Sequence, residues 1–343
     1  MAIFPYAEVQ GVAAMAKRSK RPKPVHQMTE REFETRFPFG DDDACKAYLK
    51  ARRWPDGVHC PRCGNPKVYD LQSRKWHWQC TQCAPGGSTG YRFSVIAGTI
   101  FENTNKPLRD WFKVTHLMLT SKKGISALQI QRQMGFGSYG TAHSMCHKIR
   151  AALIEPQVKL GGIVDVDETY VGGKDKNRHW NKRHHGMTGG AATGKTPIIG
   201  AVRRKGNVIA RVLESVTGKA AIEFVNEVVS DKVSLLATDV WKGYKALNET
   251  YPHSTVDHYR KQYVIGAVHT NTIEGFWSIF KRGVVGTFHK MSAKYMPLYV
   301  ARNFSSVITT ASIPTCSERR SADADFRIIC DPSRPSIRRR GSR

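Results

Sequence analysis

The chain has 343 residues, of which 40% are hydrophobic, enough to bury a core in two or three compact domains. Its 54 Lys and Arg residues outnumber its 28 Asp and Glu residues, which gives a formal net charge of +26 at pH 7. No run of about 18 apolar residues occurs, so composition excludes a membrane-spanning helix, and the excess of positive charge favours a polyanionic partner over a merely soluble basic protein.

The N-terminal segment offers few signs of order. Residues 1–27 mix an apolar start with the basic, proline-rich stretch Lys17–Pro24, and we predict a disordered basic extension. The segment lacks the features of a secretory signal, so we expect a cytoplasmic protein, associated with the nucleoid when it is bound to DNA. A helix is predicted from Thr29, which begins a capping-box pattern, and another over Cys45–Trp54.

Four cysteines follow in the spacing C-x2-C-x16-C-x2-C, at Cys60, Cys63, Cys80 and Cys83. Each pair can turn two thiolates onto one ion, and the residues between the pairs can form a hairpin, which is typical of a four-cysteine structural zinc site. In a chain without an export signal, such cysteines favour metal or reduced thiols over disulfides. The sequence predicts a zinc ribbon with flanking helices over residues 28–95; two unrelated pairs of buried cysteines are the alternative.

The next region, residues 105–158, has the apolar spacing of helices. One helix is predicted over Lys122–Met134, a turn over Gly135–Gly140, and a second helix from its cap at Thr141 to Leu153. Two helices joined by a glycine turn, with basic residues on the second, resemble a helix-turn-helix. An ordinary helical hairpin is the alternative, and the basic composition favours DNA binding.

From Gly161 onward the apolar pattern becomes that of strands. The predicted elements are strands Ile163–Val171, Pro197–Arg204 and Asn207–Leu213, helix Thr217–Val229, strand Val233–Thr238, helix Trp241–Asn248, strand Ser254–His258 and helix Thr272–Phe280. This is the order of a ribonuclease-H-like domain. The expected fold class is therefore α/β, with a ribonuclease-H-like catalytic domain over residues 161–300, preceded by the zinc ribbon and the helical, helix-turn-helix-like region.

One loop of this domain, Lys174–Lys195, is rich in Lys, Arg, His and Gly, and we expect it to meet DNA. The stretch Gly189–Thr196 matches the Walker A pattern. A phosphate-cradling loop of that kind follows a strand and opens a helix, whereas a strand is predicted to start at Pro197. We therefore exclude nucleotide hydrolysis.

Three acids stand out in this domain. Asp167 lies on the first predicted strand, Asp239 directly follows the fourth, and Glu274 lies in the first turn of the last helix. Carboxylates are the hard oxygen ligands that Mg²⁺ requires, and two such ions can serve both the attacking and the leaving oxygen of a phosphodiester. Asp165, on the same strand face as Asp167, and Glu168, on the opposite face, are the competing candidates.

A lysine accompanies the acids. Lys281 follows Glu274 by two helical turns on the same face, where it can contact a DNA phosphate near the metal ions. The alternative, that Lys281 is an ordinary solvent-exposed lysine, is equally compatible with the sequence.

With these motifs, the chain resembles the zinc-ribbon DDE transposases of bacterial insertion sequences, over roughly residues 28–300. The matching stretches are Arg53–Gly64, Asp167–Gly173, Thr238–Tyr244 and His269–Gly283. The resemblance implies a metal-binding triad of Asp167, Asp239 and Glu274, with Lys281 as its accompanying lysine. It leaves open assistance from His269 or Asn271 at the third position.

The same resemblance implies an activity and its partners. A DDE transposase, a metal-dependent polynucleotidyl transferase, cuts DNA at the ends of its element and joins the 3′-hydroxyl to target DNA, with Mg²⁺ or Mn²⁺ in the active site and Zn²⁺ in the ribbon. The implied partners are the terminal inverted repeats, target DNA and further copies of the chain, as a homodimer or higher oligomer.

The C-terminal residues 301–343 depart from the family pattern and form an atypical basic tail. Read two nucleotides later from Asn303, permitted codons give an aromatic-Arg-Asn-Arg pattern of the kind that relatives carry, so a frameshift that impairs this copy is a hypothesis. The alternative to an active enzyme is a non-catalytic DNA-binding relic or regulator derived from a transposase. A weaker alternative is an RNA-processing nuclease of the same fold.

Overall fold

The computed structural model describes residues 22–83, 90–153, 159–173, 179–182, 194–204, 206–256, 269–289 and 291–304. In this part of the chain no helix is both long and apolar enough to cross a membrane. Several predicted features lie mostly or wholly outside it: the first 21 residues, most of the loop Lys174–Lys195 with its Walker-like stretch, and the tail beyond residue 304.

The N-terminal half consists of short helices around a small antiparallel sheet, with strand order β1-β2-β3. The elements are α1 (Glu30–Arg36), α2 (Asp42–Arg53), β1 (Tyr69–Asp70), β2 (His77–Cys80), β3 (Tyr91–Ser94), α3 (Leu108–Thr120), α4 (Ala127–Met134) and α5 (Tyr139–Ala152). The capping box predicted at the start of α1 is confirmed. The Thr29 hydroxyl accepts from the Glu32 amide at 3.2 Å, and the Glu32 carboxylate accepts from the Thr29 amide at 2.7 Å.

One hydrophobic core runs through this half, from Met28 to Ile149. Phe37, the residue that directly follows α1, makes edge-to-face contacts with Tyr48 of α2 and Phe112 of α3. The ring centroids are 5.1 and 5.2 Å apart, respectively. Ribbon and helices are therefore packed around the same core. The predicted division at residues 28–95 and 105–158 stays a prediction.

The segment just before α1 corrects one expectation. Disorder was expected through residue 27, but Val25–Gln27 forms a short 3₁₀ helix against the core. The Tyr48 hydroxyl donates to the Lys23 carbonyl at 2.9 Å, and His116 Nδ1 lies 3.0 Å from the Val25 carbonyl oxygen. The prediction is wrong for residues 22–27, because side chains of α2 and α3 satisfy this backbone.

The helix predicted over Lys122–Met134 begins later than expected, at Ala127. Its first residues instead form a tight turn, in which the Gly124 amide donates to the Ser121 carbonyl at 3.0 Å and Gly124 has a φ of +95°. The Ser126 hydroxyl then accepts from the Gln129 amide and caps α4. A glycine with positive φ and a capping serine outweigh the apolar spacing of this stretch.

The next helix also differs at its start. α5 begins at Tyr139, and Ser138, rather than the predicted Thr141, is its N-cap. Between α4 and α5, Gly135 adopts the left-handed conformation, with a φ of +65°, that ends α4. The predicted pair of helices joined by a glycine turn is therefore present.

The C-terminal half is built on a five-stranded sheet of order β6-β5-β4-β7-β8, in which β4, β5 and β6 are antiparallel neighbours and β7 and β8 run parallel to β4. The elements are β4 (Leu160–Val171), β5 (Thr196–Arg203), β6 (Val208–Val212), α6 (Gly218–Val228), β7 (Val229–Asp239), β8 (His253–Val256), α7 (Asn271–Gly283) and α8 (Met296–Phe304). This order confirms the predicted ribonuclease-H-like fold. The helix predicted at Trp241–Asn248 is a 3₁₀ helix, Lys242–Glu249.

Helices cover both faces of this sheet. On one face, Val164 and Val166 of β4 pack with Phe224 of α6. On the other, Ile198 of β5 packs with Trp277 of α7. Because side chains alternate along a strand, the odd-numbered residues of β4 face α7.

The two halves meet where α5 packs against α8. Arg150 of α5 is only 1% exposed, and its guanidinium carbon lies 4.2 Å from the ring centroid of Tyr299 in α8 and 5.6 Å from that of Phe288. Its Nε and Nη1 find no hydrogen-bond acceptor among the described residues. Burial, with Arg150 and His143 nearby, lowers the pKa of His147 to about 4, so this neighbour stays neutral at pH 7. Aromatic rings therefore stabilise the buried cation.

This arrangement predicts different effects for two substitutions of Arg150. Arg150→Ala leaves a cavity and removes the cation–π contacts, so we expect the free energy of unfolding to fall by about 3 kcal/mol. Arg150→Met fills much of the same volume without a buried charge and should stay within about 1 kcal/mol of the wild type. Urea unfolding followed by circular dichroism measures both changes.

The matched control is Arg132→Ala, at an exposed position of α4, which should change stability by less than about 0.5 kcal/mol. A methionine variant as unstable as the alanine variant would show that the charge of Arg150, rather than its packing, holds the junction.

Candidate active site and metal centres

The four ribbon cysteines converge on one point. Their Sγ atoms all lie within 4.8 Å of one another, with 3.9 Å between Cys60 and Cys83 and 3.7 Å between Cys63 and Cys80. Four thiolates around one Zn²⁺, at about 2.3 Å from it, would lie roughly 3.8 Å apart. The cysteines therefore fit a tetrahedral zinc ion.

Local structure prepares this site. Cys80 ends β2 and is fully buried, while the Cys60 amide donates to the Asn65 carbonyl at 2.9 Å and closes the first knuckle. The Asn65 amide in turn holds the pKa of the Cys63 thiol down, to about 7. Burial raises the pKa of Cys60, and the neighbouring Cys63 thiol raises that of Cys83, so these thiols would become thiolates when a cation binds.

On the sheet, Asp165 belongs to a buried ion pair. Its side chain is fully buried, and Arg204 Nε donates to its Oδ1 at 3.1 Å. Arg204 also donates to the His269 carbonyl at 2.9 Å and so connects β4 to the segment that leads into α7. Asp165, which sequence reasoning left as a competitor of Asp167, is thus engaged in holding the fold together.

Asp167 and Asp239 occupy neighbouring strands at the same level. β4 and β7 run parallel with Asp165 opposite Ala237, so the two acids, each two residues further on, are neighbours at a strand spacing of about 4.8 Å. β7 ends at Asp239, whose carboxylate accepts from the Val240 amide at 2.6 Å. Asp167 lies inside the longer β4, opposite Gly200. The predicted side-by-side arrangement of their strands is therefore present.

Helix α7 is able to reach this point because of a glycine. A Cβ atom on Gly200, the β5 partner of Asp167, would lie only 2.7 Å from Cζ2 of Trp277. The indole ring of Trp277 takes the space over the strand instead. Sequence reasoning did not single out either residue, since the contact joins positions far apart in the chain.

The docked helix brings two predicted residues to Asp167. Asp167, Glu274 and Lys281 line one open cleft of about 590 Å³, together with Trp277. Glu274 lies in the first turn of α7 and its Oε1 accepts from the Thr270 hydroxyl at 2.8 Å. Asp239 does not line this cleft, although its charge acts on Asp167.

The cleft disfavours negative charge on Asp167. Burial, with smaller contributions from the charges of Asp239 and Glu274, raises the pKa of Asp167 to about 6, whereas Lys281 lowers it. Within the described residues, the four cysteines are the one set of three or more His, Cys, Asp or Glu side chains whose ligand atoms lie close enough together to hold an ion. Like-charged carboxylates that raise the pKa of Asp167 are a donor set suited to a hard divalent cation.

Glu168 occupies the other face of β4. It accepts a hydrogen bond from the hydroxyl of Tyr244, a fully buried residue of the 3₁₀ helix after Asp239. Burial raises the pKa of Glu168 to about 7, against the opposing effect of this hydrogen bond. The predicted opposite orientation of Glu168 is therefore observed. The role of Tyr244 was not foreseen, although the stretch Thr238–Tyr244 was one of the matching motifs.

Comparison with known proteins gives consistent matches. Residues 40–85 match the family described as a transposase zinc-ribbon domain, and residues 159–303 match the family described as an ISXO2-like transposase domain. These matches confirm the resemblance to zinc-ribbon DDE transposases of insertion sequences. The Asp167, Asp239, Glu274 and Lys281 assignments stay predictions.

Individual relatives were also found. The chain is 28% identical over 244 residues to an uncharacterized protein in transposable element ISH50 of Halobacterium salinarum, over 67% of this chain and 79% of the relative. A chain in the cryo-electron microscopy structure of the simian T-cell lymphotropic virus intasome, in complex with the PP2A regulatory subunit B56 gamma, is 15% identical. That alignment covers 67% of this chain and 76% of the other, with a TM-score of 0.26, too low to support any argument.

The cysteine cluster predicts a structural zinc ion. Cys80→Ser removes a fully buried ligand, so zinc content should fall from about one ion per chain to near zero, and the melting temperature should fall with it. Elemental analysis and thermal unfolding measure these changes. Cys146→Ala, which removes a buried cysteine outside the cluster, should leave the zinc content unchanged. Full zinc occupancy in the Cys80 variant would refute the site.

The two aspartates of β4 should respond oppositely to substitution in metal-free protein. The pKa of Asp167 is raised in the fold, so its carboxyl group favours the fold below about pH 4, and that benefit is lost as the pH rises through about 6. At pH 8, Asp167→Asn should therefore raise the free energy of unfolding, by at most roughly 3 kcal/mol. Burial raises the pKa of Asp165 as well, but Asp165→Asn removes the negative charge that pairs with the partly buried Arg204 and should lower the free energy of unfolding, by up to about 3 kcal/mol.

Denaturant unfolding at pH 4 and pH 8 in a metal chelator separates the two effects. At pH 4 the wild-type carboxyl is protonated in the fold and about half ionised in the unfolded chain, so the Asp167 variant should lie within about 0.5 kcal/mol of the wild type. If Asp167→Asn and Asp165→Asn lower the free energy of unfolding equally at pH 8, the two aspartates do not differ in their contribution to stability and the prediction is wrong.

Proposed function

We propose that this chain, which carries the zinc ribbon and the transposase domain of the zinc-ribbon DDE transposases, cuts DNA at the ends of its insertion sequence and joins the freed 3′-hydroxyl to target DNA. The observation that supports this most directly is the cleft shared by Asp167, Glu274 and Lys281, beside the strand that ends at Asp239. Two of the proposed carboxylates and a lysine in the cleft, with the third carboxylate on the neighbouring strand, suit chemistry on a phosphodiester.

The carboxylates hold the metal ions in this proposal. Asp167, Asp239 and Glu274 would bind Mg²⁺ or Mn²⁺, whose chemistry is to activate the attacking oxygen and stabilise the leaving one. In the cutting step, the oxygen of water bonds to the scissile phosphorus and the bond from phosphorus to the 3′-oxygen breaks. That oxygen takes up a proton and becomes the 3′-hydroxyl. In the joining step, this hydroxyl attacks a target phosphorus and displaces a target 3′-oxygen.

The remaining groups bind and orient DNA. Lys281 lines the cleft and would contact a phosphate oxygen next to the reacting one. The net charge of +26 supports sequence-independent affinity for the duplex through counterion release. Because two ends of an element must be held together, we infer that the chain works as a dimer or higher oligomer.

The test of this function is cleavage of duplexes that carry the inverted repeats flanking the gene. The wild type should release 3′-hydroxyl ends when Mg²⁺ or Mn²⁺ is added, and Asp239→Ala should reduce the rate at least about a thousandfold, because metal binding supplies several kcal/mol of transition-state stabilisation. DNA binding in a gel-shift assay should persist. Denaturing gel electrophoresis resolves the cut strands.

The matched control is Asp231→Ala, on the same strand, where the carboxylate is 88% exposed; its cleavage rate should equal that of the wild type. Binding without cutting in both the wild type and the Asp239 variant would overturn the proposed activity. That result would favour a DNA-binding relic.

A further inference from the structure

The tight turn between α3 and α4 lies against the C-terminal end of α7. A Cβ atom on Gly283, the last residue of α7, would lie 2.7 Å from the carbonyl oxygen of Lys123. Gly283 is buried, so the two backbones touch with no side chain between them. The N-terminal half of the chain therefore reaches the helix that carries Glu274 and Lys281.

The geometry of the turn presents two lysines. The hydrogen bond from the Gly124 amide to the Ser121 carbonyl, at 3.0 Å, places Lys122 and Lys123 at the two central positions of the turn, and both side chains are exposed. The turn is anchored on either side. The Ser121 hydroxyl donates to the Leu117 carbonyl at 2.6 Å, and Ile125 is 3% exposed in the core.

Two more cations lie next to this contact. Lys281 and Arg282 directly precede Gly283, both are exposed, and both line the cleft with Asp167 and Glu274. Across the described part of the chain, neither of them forms an ion pair with a carboxylate, and neither do the two lysines of the turn. Asp167 and Glu274 offset part of this charge inside the cleft, but four cations gathered at its edge still favour the binding of a polyanion.

We propose that Lys122 and Lys123 form the outer rim of the active-site cleft and bind backbone phosphates of the DNA strand that enters it. This inference rests on the proposed function. The turn is continuous with the cleft through Gly283, and its charge complements that of the substrate. Lys122 and Lys123 position the strand, whereas the carboxylates act on the scissile phosphate. The helical region thereby takes part in the active site of its own chain.

The test is the double variant Lys122→Ala and Lys123→Ala, assayed on end-carrying duplexes over a range of salt concentrations. Loss of two phosphate contacts should lower the slope of log kcat/KM against log salt concentration by about 1.8 in magnitude. At a fixed moderate salt concentration, kcat/KM should fall roughly tenfold or more, with the melting temperature unchanged. The conservative variant Lys122→Arg and Lys123→Arg should retain most of the activity.

A control variant removes the same charge elsewhere. Lys219→Ala with Lys232→Ala takes two exposed lysines from α6 and β7, and its salt slope should equal that of the wild type. If the lysine-turn variant also keeps the wild-type slope and kcat/KM, the proposal is overturned.

A second variant tests the backbone contact. Gly283→Ala should push the turn away from α7 and lower kcat/KM in the wild-type background, but add little to the lysine double variant, because both changes act through one contact. If the effects of Gly283→Ala and of the lysine double variant on kcat/KM are fully additive, the backbone contact and the lysines act independently. The proposal that the contact positions the lysines is then overturned.

Failure of the proposed cleavage activity can be distinguished from failure of the proposed role of Lys122 and Lys123. If the wild type cuts no DNA, that function fails, while fluorescence anisotropy of DNA binding still measures the salt slope of each variant. If the salt dependence of DNA affinity is reduced only in the variant without Lys122 and Lys123, phosphate binding by these lysines is supported. Equal salt dependence in all variants would refute it.

Discussion

The candidate site depends on the absence of one side chain. Gly200 leaves open the space above β5 that the indole ring of Trp277 fills, and any larger residue there would meet this ring. Trp277 lies between Glu274 and Lys281 on the same helix, so its depth sets how closely both approach the sheet. Asp167 is the strand partner of Gly200. The fit of one ring against one backbone position thus brings together groups from β4 and α7.

A second constraint engages the other two acids of β4 in hydrogen bonds of their own. Asp165 is occupied by Arg204, and Glu168 accepts from Tyr244 on the opposite face of the sheet. Both partners are specific and buried or nearly so, which lowers the energetic cost of placing carboxyl groups inside the fold. Burial raises the pKa of all three acids, and for Asp167 the charges of Asp239 and Glu274 add to this effect, against a backbone hydrogen bond from Glu168. The strand therefore carries three acids in three different environments, of which Asp165 is the one that does not line the cleft with Glu274.

Local patterns in the sequence predicted the features that depend on neighbouring residues. Thr29 with Glu32 indicated a capped helix, the cysteine spacing indicated a ribbon, and an apolar run indicated the strand that ends at Asp239. Contacts between distant positions left no such pattern, so the Asp165–Arg204 pair and the packing of Trp277 on Gly200 were not foreseen. The same limitation explains the error before α4, where apolar spacing suggested a helix and the conformation of Gly124 required a turn. It also explains the order found at residues 22–27, which α2 and α3 impose.

The single core from Met28 to Ile149 has a consequence for how such proteins can diversify. A ribbon that folded alone could be exchanged between related elements by recombination without a loss of packing. Here Trp78 of the ribbon packs on Trp54, the residue that follows α2, with ring centroids 5.4 Å apart. A ribbon from another protein would lack the side chains that fit this surface. Chimeras joined at the edge of the ribbon should inherit a packing defect. Substitutions on the ribbon surface, which leave this core intact, should therefore be tolerated more readily than exchange of the whole ribbon.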